Sequence, residues 1–219
     1  MPYELLLVER DEKVATVTLN RPEKRNALNT QLRNEISAAL EELEADDAVS
    51  VAVLTGAGPV FCSGFDTKEF ETTPPAEVFA GESSRRYHYR VQHFRKPMVA
   101  AVNGSAMGGG FDLAVLCDVR IAAEGAAFGH PEIKFGAPTL FGPLAAIIGG
   151  GLARDLCLSG RRIDAPGALR IGLVSTIVSG DRLLAEARAV ARTIAEAPTG
   201  TLQAMKQAIL EATTWKFEP

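Results

Sequence analysis

The sequence has little cysteine and no clustered basic segment, and each shortage excludes a class of protein. Its three cysteines, Cys62, Cys117 and Cys157, lie far apart and form no CxxC pair. We therefore expect neither a disulfide framework nor a metal site, and the cytoplasm is the compartment that fits. The formal net charge is only -4, and no Lys/Arg cluster is interleaved with aromatic residues, so we expect no nucleic-acid partner.

The sequence also lacks an export signal and a membrane-spanning run. The N-terminal segment MPYELLLVERDEKV carries acidic residues where a secretory signal would have a basic region followed by an apolar run. The apolar run from Met98 to Val119 is interrupted by Asn103, Asp112 and Asp118. It is better interpreted as a buried strand followed by a buried helix. We therefore expect no membrane partner.

What the chain does have is apolar material in an ordered pattern. Of its 219 residues, 47% are apolar, which is enough to bury the core of one large domain. Residues 3–19 alternate in polarity around a charged break and predict an antiparallel hairpin. The apolar residues of 32–43 fall at helical spacing after Asn29 and Thr30, either of which is suited to cap a helix. Because such strands and helices keep alternating, the fold class we expect is α/β.

The remaining segments predict mostly helix. The sequence DTKE has the Asp-x-x-Glu spacing of a capping box, which predicts a helix that begins at Asp66. The stretch from Glu71 to Arg95 follows no recognisable period. The part after Leu140 is mainly helical in pattern, with an amphipathic helix over 183–197 and a last helix that runs to about Trp215.

Two strand-to-helix junctions are rich in glycine, LTGAGPVFCSGFDTKE and VNGSAMGGGFDLAV. Each presents a helix N-terminus, whose unpaired amides and dipole can hold a developing negative charge or a phosphate. Two such ends that face one point would form an oxyanion hole, in which one donor is worth about 3 kcal/mol. A run of three glycines alone is better explained by close packing of a helix on a strand. The spacing of a P-loop or of a dinucleotide-binding loop is missing.

Four segments, in this order, resemble the signatures of the enoyl-CoA hydratase/isomerase, or crotonase, superfamily: TVTLNRPEKRNALN, LTGAGPVFCSGFDTKE, KPMVAAVNGSAMGGGFDLAVLCDVRIAAEGAAFGHPEI and GLARDLCLSGRRIDAPGALRIGLVSTIV. The resemblance covers nearly the whole chain. It implies a superhelix of repeated ββα units over residues 1–180 that carries the active site. It further implies a helical C-terminal region over residues 181–219, shorter than is usual in the family. An acyl-CoA substrate, no permanently bound cofactor and a homotrimer or homohexamer are also implied.

The resemblance assigns binding roles by motif position. The backbone amides of Phe65 and Gly109 would form the oxyanion hole for the thioester carbonyl. Outside such a context a lysine or arginine would be expected to be a solvated surface charge. The residues that would contact coenzyme A or the substrate fall in the first, second and third motifs: Lys24, Arg25, Ala27, Asp66, Thr67, Lys68 and Gly108.

Asp112 and Glu132 occupy the positions of the two glutamates that hold and activate a water in hydratases of the superfamily. Addition of water across an α,β-double bond needs a base for the water and an acid for the α-carbon, and two carboxyl groups can supply both. The side chain of Asp112 is one methylene shorter than glutamate, and a misplacement of about 1 Å can cost about a hundredfold in rate. We therefore rank Glu132 as the essential acid/base.

The reaction favoured by this pattern is hydration of 2-enoyl-CoA to 3-hydroxyacyl-CoA. Isomerisation or decarboxylation with Glu132 as single acid/base is the first alternative, and non-catalytic binding of a CoA thioester is the second. Asp112 could instead stabilise its own helix, and Glu132 could form a buried structural ion pair. His130, Phe135 and Leu140 are candidates for the pocket, the first as a third polar group and the other two as apolar acyl surface or core. A lone histidine is more often structural, which is the alternative for His130. The segment from Glu71 to Arg95 is also expected to line the pocket.

Overall fold

The computed structural model describes residues 3–137 and 139–212. The strands are β1 (Leu6–Asp11), β2 (Val14–Leu19), β3 (Val51–Gly56), β4 (Val60–Cys62), β5 (Met98–Val102), β6 (Ser105–Met107), β7 (Val119–Ala123), β8 (Ala127–Gly129), β9 (Ile163–Asp164) and β10 (Thr176–Val178). The helices are α1 (Thr30–Ala45), α2 (Pro75–Ala80), α3 (Glu82–Gln92), α4 (Gly109–Val115), α5 (Phe141–Ile148), α6 (Gly150–Ser159), α7 (Ala165–Arg170), α8 (Leu183–Ala195) and α9 (Thr199–Ala212). The predicted end of the last helix, at about Trp215, lies outside the described residues.

Two sheets are built alternately as the chain advances. The larger sheet has the order β1-β2-β3-β5-β7-β10, and the smaller has the order β4-β6-β8-β9. In three successive pairs, β3 with β4, β5 with β6 and β7 with β8, the first strand joins the large sheet and the second joins the small one. β1 is antiparallel to β2, and β9 is antiparallel to β8. All other neighbouring strands are parallel. The chain therefore winds as a superhelix of repeated units, and the α/β prediction is confirmed.

Apolar side chains cover both faces of the large sheet, which explains why its strands are continuous apolar runs. On one face α8 presents a residue every fourth position, namely Leu183, Ala187, Ala191 and Ala195. Three of these side chains are alanine, so the helix approaches the sheet closely. They pack on the strand residues Val51, Val53, Val99, Ala101 and Ile121. The other face and the small sheet enclose the main core.

The first hairpin and first helix form as the sequence predicts. β1 and β2 are antiparallel, with Leu6 opposite Leu19. The side chain of Asn29 caps α1 by accepting a hydrogen bond of 2.9 Å from the amide of Leu32. Such caps are typically worth about 1 kcal/mol.

A helix does begin after Asp66, as the capping-box spacing predicts, but it is a 3₁₀ helix. The segment is a five-residue 3₁₀ helix, Thr67–Glu71, which Asp66 does cap through the amide of Lys68. The carboxylate of Glu69 does not turn back to that helix but accepts from the amide of Thr30, at 2.7 Å, at the start of α1. It also pairs with Arg33 at 2.8 Å. The two prolines at 74 and 75 prevent the helix from continuing.

The stretch without a recognisable period contains two helices, α2 and α3. Pro75 stands at the first position of α2, where a missing amide costs nothing. The buried face of α3 is spaced as a helix requires, but half of it is polar: Ser84, Tyr87, Val91 and Gln92. A hydrophobic period could not reveal this helix, because the face that it buries is not hydrophobic.

In the described part of the chain, every helix is too short or too polar to cross a membrane. All three cysteines are buried and free.

Candidate active site

The candidate site lies where three neighbouring strands of the small sheet end. β4, β6 and β8 are parallel, so their carboxyl ends meet at one edge of that sheet. The chain after β4 carries Phe65, that after β6 carries Gly108 and Gly109, and that after β8 carries His130 and Glu132. A cavity of about 540 Å³ opens at this edge. Its wall combines both glycine-rich junctions with residues from the segment 131–140.

The amides of Phe65 and Gly109 are both free on this wall. The loop before Phe65 is held by hydrogen bonds of 3.0 Å from the Ser63 amide to the Arg25 carbonyl and of 2.8 Å from the Leu28 amide to the Gly64 carbonyl. Gly109 opens α4, where an amide has no partner within the helix. Within the part of the chain that the structure describes, neither amide donates a hydrogen bond. The two strand ends thus expose two unused donors.

The glycine run serves close approach on this wall as well as packing. Gly108 has φ 54° and ψ -128°, a conformation that only glycine adopts without strain. A Cβ at this position would stand 3.0 Å from Oε2 of Glu132. At Gly109 a Cβ would meet the ring of Phe65 at 2.8 Å. The Glu132 carboxylate and the Phe65 ring can therefore keep their positions only because residues 108 and 109 have no side chain.

Asp112 and Glu132 meet across the buried ring of His130. Nδ1 of His130 donates a 2.8 Å hydrogen bond to Oε1 of Glu132. Nε2, at the other end of the ring, lies 3.7 Å from Oδ1 of Asp112. His130 is fully buried, whereas the two carboxyl side chains are 10% and 17% exposed, respectively, and line the cavity. Among the described residues, Oδ1 of Asp112, Nε2 of His130 and Oε2 of Glu132 have no hydrogen-bond partner.

The cluster shifts the proton affinity of two of its members. Burial raises the pKa of Asp112 to about 7, the cationic form of His130 lowers it, Glu132 raises it further, and the amide of Leu140 opposes the rise. Burial alone would lower the pKa of His130, but the hydrogen bond to Glu132 and the charges of both carboxylates raise it above its ordinary value. Asp112 is therefore a carboxyl group that holds a proton near neutral pH.

The cluster is also made of residue types that ligate metals. One potential ligand atom from each of Asp112, His130 and Glu132 lies within 4.8 Å of the others. In this arrangement the hydrogen bond from His130 to Glu132 already uses two of the donor atoms. The geometry is thus that of a hydrogen-bonded charge cluster, and the prediction that the chain has no metal site stays a prediction.

The seven residues predicted to contact coenzyme A or substrate are only partly brought together. Thr67 and Gly108 line the cavity. Lys24, Arg25 and Lys68 are exposed, away from the cavity wall.

Ala27 and Asp66 are joined by a residue that sequence analysis did not single out. Nη1 of Arg21 donates 2.8 Å hydrogen bonds both to the Ala27 carbonyl and to the Asp66 carboxylate. Asp66 is therefore engaged in an ion pair and a cap. The pairing holds the loop of residues 24–27 beside the loop that carries Phe65. A basic residue before a turn gives no signal of this role in the sequence.

The three pocket candidates have different positions. Leu140 is buried on the cavity wall, and its amide faces Asp112. Phe135 also contacts the cavity but is 78% exposed, so it lies at the rim. His130 does not line the cavity: it stands behind Asp112 and Glu132, and the expectation of a third polar group in the pocket is wrong.

The segment from Glu71 to Arg95, which is expected to line the pocket, does so through α2 and α3, although the sequence did not single out its residues. Phe79 and His88 line the cavity together with Phe70. The ring of Phe65 packs edge-on against Phe79, with centroids 4.7 Å apart, and stacks on His88 at 6.0 Å. Burial lowers the pKa of His88 to about 4, so this ring is neutral at physiological pH. One side of the cavity is therefore aromatic and uncharged.

The chain is similar to known enoyl-CoA hydratases in sequence and in structure. A probable enoyl-CoA hydratase of Mycobacterium tuberculosis, echA8, is 43% identical over 97% of this chain and 83% of the relative. The 2,3-dehydroadipyl-CoA hydratase of Escherichia coli is 39% identical over 94% of this chain and 82% of the relative.

Solved structures agree with these relatives. An enoyl-CoA hydratase/isomerase from Xanthobacter autotrophicus superposes with a TM-score of 0.88 at 40% identity, over 96% of this chain and 80% of that one. An enoyl-CoA hydratase subunit from Geobacillus kaustophilus gives a TM-score of 0.89 at 33% identity, over 98% and 84%. The sequence profile described as enoyl-CoA hydratase/isomerase matches residues 9–218. With its superhelix and its paired carboxyl groups, the chain belongs to the enoyl-CoA hydratase/isomerase family.

Proposed function

We propose that the protein hydrates 2-enoyl-CoA thioesters to 3-hydroxyacyl-CoA. The observation that carries the proposal is that two carboxyl groups line the same cavity as two backbone amides that donate no hydrogen bond among the described residues. Asp112 and Glu132 each have a buried oxygen without a hydrogen-bond partner among the described residues, and one potential ligand atom of each lies within 4.8 Å of the other. A single water at ordinary hydrogen-bond distances, about 2.8 Å from each oxygen, can span such a gap. The shorter side chain of Asp112 is therefore compatible with a shared water.

The amides of Phe65 and Gly109 supply the electrophilic half of this mechanism. As water adds to the β-carbon, negative charge develops on the thioester oxygen, and two preorganised donors stabilise the enolate. Because the donors are backbone groups, the ring of Phe65 does not remove the hydrogen bond. The ring narrows the acyl end of the cavity instead, together with Phe79 and His88.

The two carboxyl groups have different environments, which suits different roles. Asp112 retains a proton near neutral pH and is the acid that protonates the α-carbon. Glu132, which accepts a hydrogen bond from His130, is the base that takes a proton from water. Two titratable groups whose surroundings differ in this way are the usual basis of an acid/base pair.

The direct test is turnover of crotonyl-CoA and longer 2-enoyl-CoA homologues by the purified protein. Hydration removes the conjugated double bond, so we expect the absorbance of the enoyl thioester to fall. No turnover at any chain length would reject the proposal. Tight binding of the thioesters without turnover would identify a non-catalytic binder instead.

Paired variants distinguish hydration from single-base chemistry. We expect both Glu132→Gln and Asp112→Asn to lower kcat for hydration by about a hundredfold or more, because general acid or base catalysis typically contributes that much. An isomerase or decarboxylase that uses Glu132 alone predicts that Asp112→Asn keeps most of the activity. Steady-state kinetics at pH 7 on crotonyl-CoA and on a 3-enoyl-CoA would separate the two outcomes.

Three further properties belong to the same proposal. Coenzyme A enters as part of the substrate, and no cofactor is permanently bound. The protein works as a homotrimer or homohexamer in the cytoplasm, which its free, buried cysteines suit. A sedimentation measurement that found only monomer would overturn the assembly part without touching the chemistry.

A further inference from the structure

His130 is buried in the centre of the carboxyl cluster, although it cannot touch a ligand in the cavity. Its side chain is 0% exposed. One ring nitrogen holds Glu132 at 2.8 Å and the other faces Asp112 at 3.7 Å. A histidine that needed only a structural partner would be satisfied by one such bond, yet this ring stands between two carboxyl groups.

We propose that His130 is a positioning residue, a buried imidazolium that fixes the direction of Glu132 and decides which of the two carboxyl groups carries a proton. The inference rests on the proposed function, in which those two groups work as base and acid. The asymmetry of the two distances is its basis. The short contact makes Glu132 a hydrogen-bond acceptor, whereas the longer one leaves Asp112 without a donor from the ring.

The two carboxyl groups beside the ring, and not its packing, favour a cation at this position. The ring of Phe111 lies 4.7 Å from that of His130, centroid to centroid, and contributes no charge of its own. An unpaired buried carboxylate is costly, and two without a cation between them would be costlier still. A protonated imidazole leaves the three-residue cluster with a single negative charge when both carboxyl groups are ionised, and neutral when Asp112 is protonated.

The other titratable groups near the cluster do not compete for this role. Cys62 in β4, Tyr87 in α3 and Cys157 in α6 all interact with Asp112. Burial raises the pKa of each of them, so all three are neutral at physiological pH. Within the described residues around the ring, the charges that His130 meets are thus those of Asp112 and Glu132.

The first test reads the charge of His130 without substrate. The chain has three histidines, so ¹⁵N-histidine labelling resolves each ring by NMR. We expect His130 to stay protonated to a higher pH than a free histidine, and Glu132→Gln to lower its titration midpoint by about one pH unit or more. Asp112→Asn should lower it as well. The variant His93→Gln assigns its own signal and should leave that of His130 in place.

The second test reads the effect of His130 on the reaction. We expect His130→Gln, which retains a donor for Glu132 but cannot carry a charge, to lower kcat by about ten- to a hundredfold with little change in KM. Removal of the cation also raises the pKa of Asp112. The descending limb of the pH profile of kcat/KM, where Asp112 loses its proton, should therefore move up by about one pH unit. His93→Gln is the matched control and should keep the wild-type profile.

Two results would overturn the proposal. One is a His130 ring that is neutral throughout pH 5 to 8 in the wild-type protein. The other is a folded His130→Gln variant with the wild-type pH profile. If His130→Gln fails to fold, the NMR titration of the wild-type chain still decides. Because that titration needs no turnover, a protein that proves not to be a hydratase can still confirm or refute the charge of His130.

Discussion

At the scale of single residues, the site depends on bare backbone beside charged side chains. Gly108 is the clearest example. Other residues would be strained in its backbone conformation, and a Cβ at this position would crowd Glu132. A side chain at this position would meet the carboxylate of Glu132, so a substitution there acts on chemistry as well as on stability.

We expect Gly108→Ala to lower hydratase activity by about a hundredfold and the free energy of unfolding by about 1 to 3 kcal/mol. The added methyl group would push Glu132 away from its present direction. Gly125→Ala is the control, since a Cβ at Gly125 meets nothing within 4 Å. Urea unfolding and crotonyl-CoA kinetics on both variants check the prediction. Wild-type kinetics in Gly108→Ala would show that activity does not require a residue without a side chain beside Glu132.

The sequence predicts the site residues that lie in recognisable motifs. It does not predict those that contact the site only because the fold brings distant segments together. The two amide positions and the two carboxyl positions are found at one cavity, as the motif resemblance implies. Their roles stay predictions until they are tested. Arg21 and His88 gave no signal, because each acts through neighbours distant in sequence. His130 was noticed, but its place behind the carboxyl groups depends on how β8 meets β6.

At the scale of elements, two ion pairs attach helices to the sheet and to the site. Arg33 and Glu69 join α1 to the 3₁₀ helix beside Phe65. Lys206, 4% exposed, joins α9 to Asp118 at 2.6 Å, and Asp118 also accepts from the amide of Met98. Such long-range partners are invisible to helical periodicity, which predicts α9 without saying where it docks.

We expect Lys206→Met to lower the free energy of unfolding by about 2 kcal/mol, because Asp118 would lose a charged hydrogen-bond partner. The exposed Gln207→Met in the same helix should change it by only a few tenths of a kcal/mol. Denaturant unfolding of both variants gives the comparison. Equal stability of the two would mean that Asp118 is adequately solvated without Lys206.

At the scale of the whole molecule, buried titratable groups make stability depend on pH. Asp112 has a pKa raised to about 7 when folded, so its contribution is fully present below about pH 4 and is lost as the pH rises towards 7. The pKa of His130 is also raised in the folded protein. Its contribution to the free energy of unfolding is therefore present below about pH 6.5 and is lost as the pH rises through the pKa of the folded state. Carboxyl groups with lowered pKa values, such as Asp66 and Glu69, lose their contribution only at lower pH.

We therefore expect the protein to be more stable at pH 5 than at pH 8. The slope should approach about 1.4 kcal/mol per pH unit for each proton released. Urea unfolding at a series of pH values measures it, and the double variant Asp112→Asn with His130→Gln should flatten the curve. A wild-type free energy of unfolding that stays constant between pH 5 and 8 would contradict the raised pKa values of Asp112 and His130.

The alternation of strands between two sheets also sets the order in which the protein can come into being. The large sheet begins with the hairpin of β1 and β2 and can grow as each strand is synthesised. The catalytic edge needs the ends of β4, β6 and β8 side by side, and the last of these is complete only at Gly129. A nascent chain can therefore pair the first strands of the large sheet before the ends of β4, β6 and β8 are all present, although β10 completes that sheet only at Val178. Activity can begin only after Glu132 has been synthesised, which is past the middle of the chain.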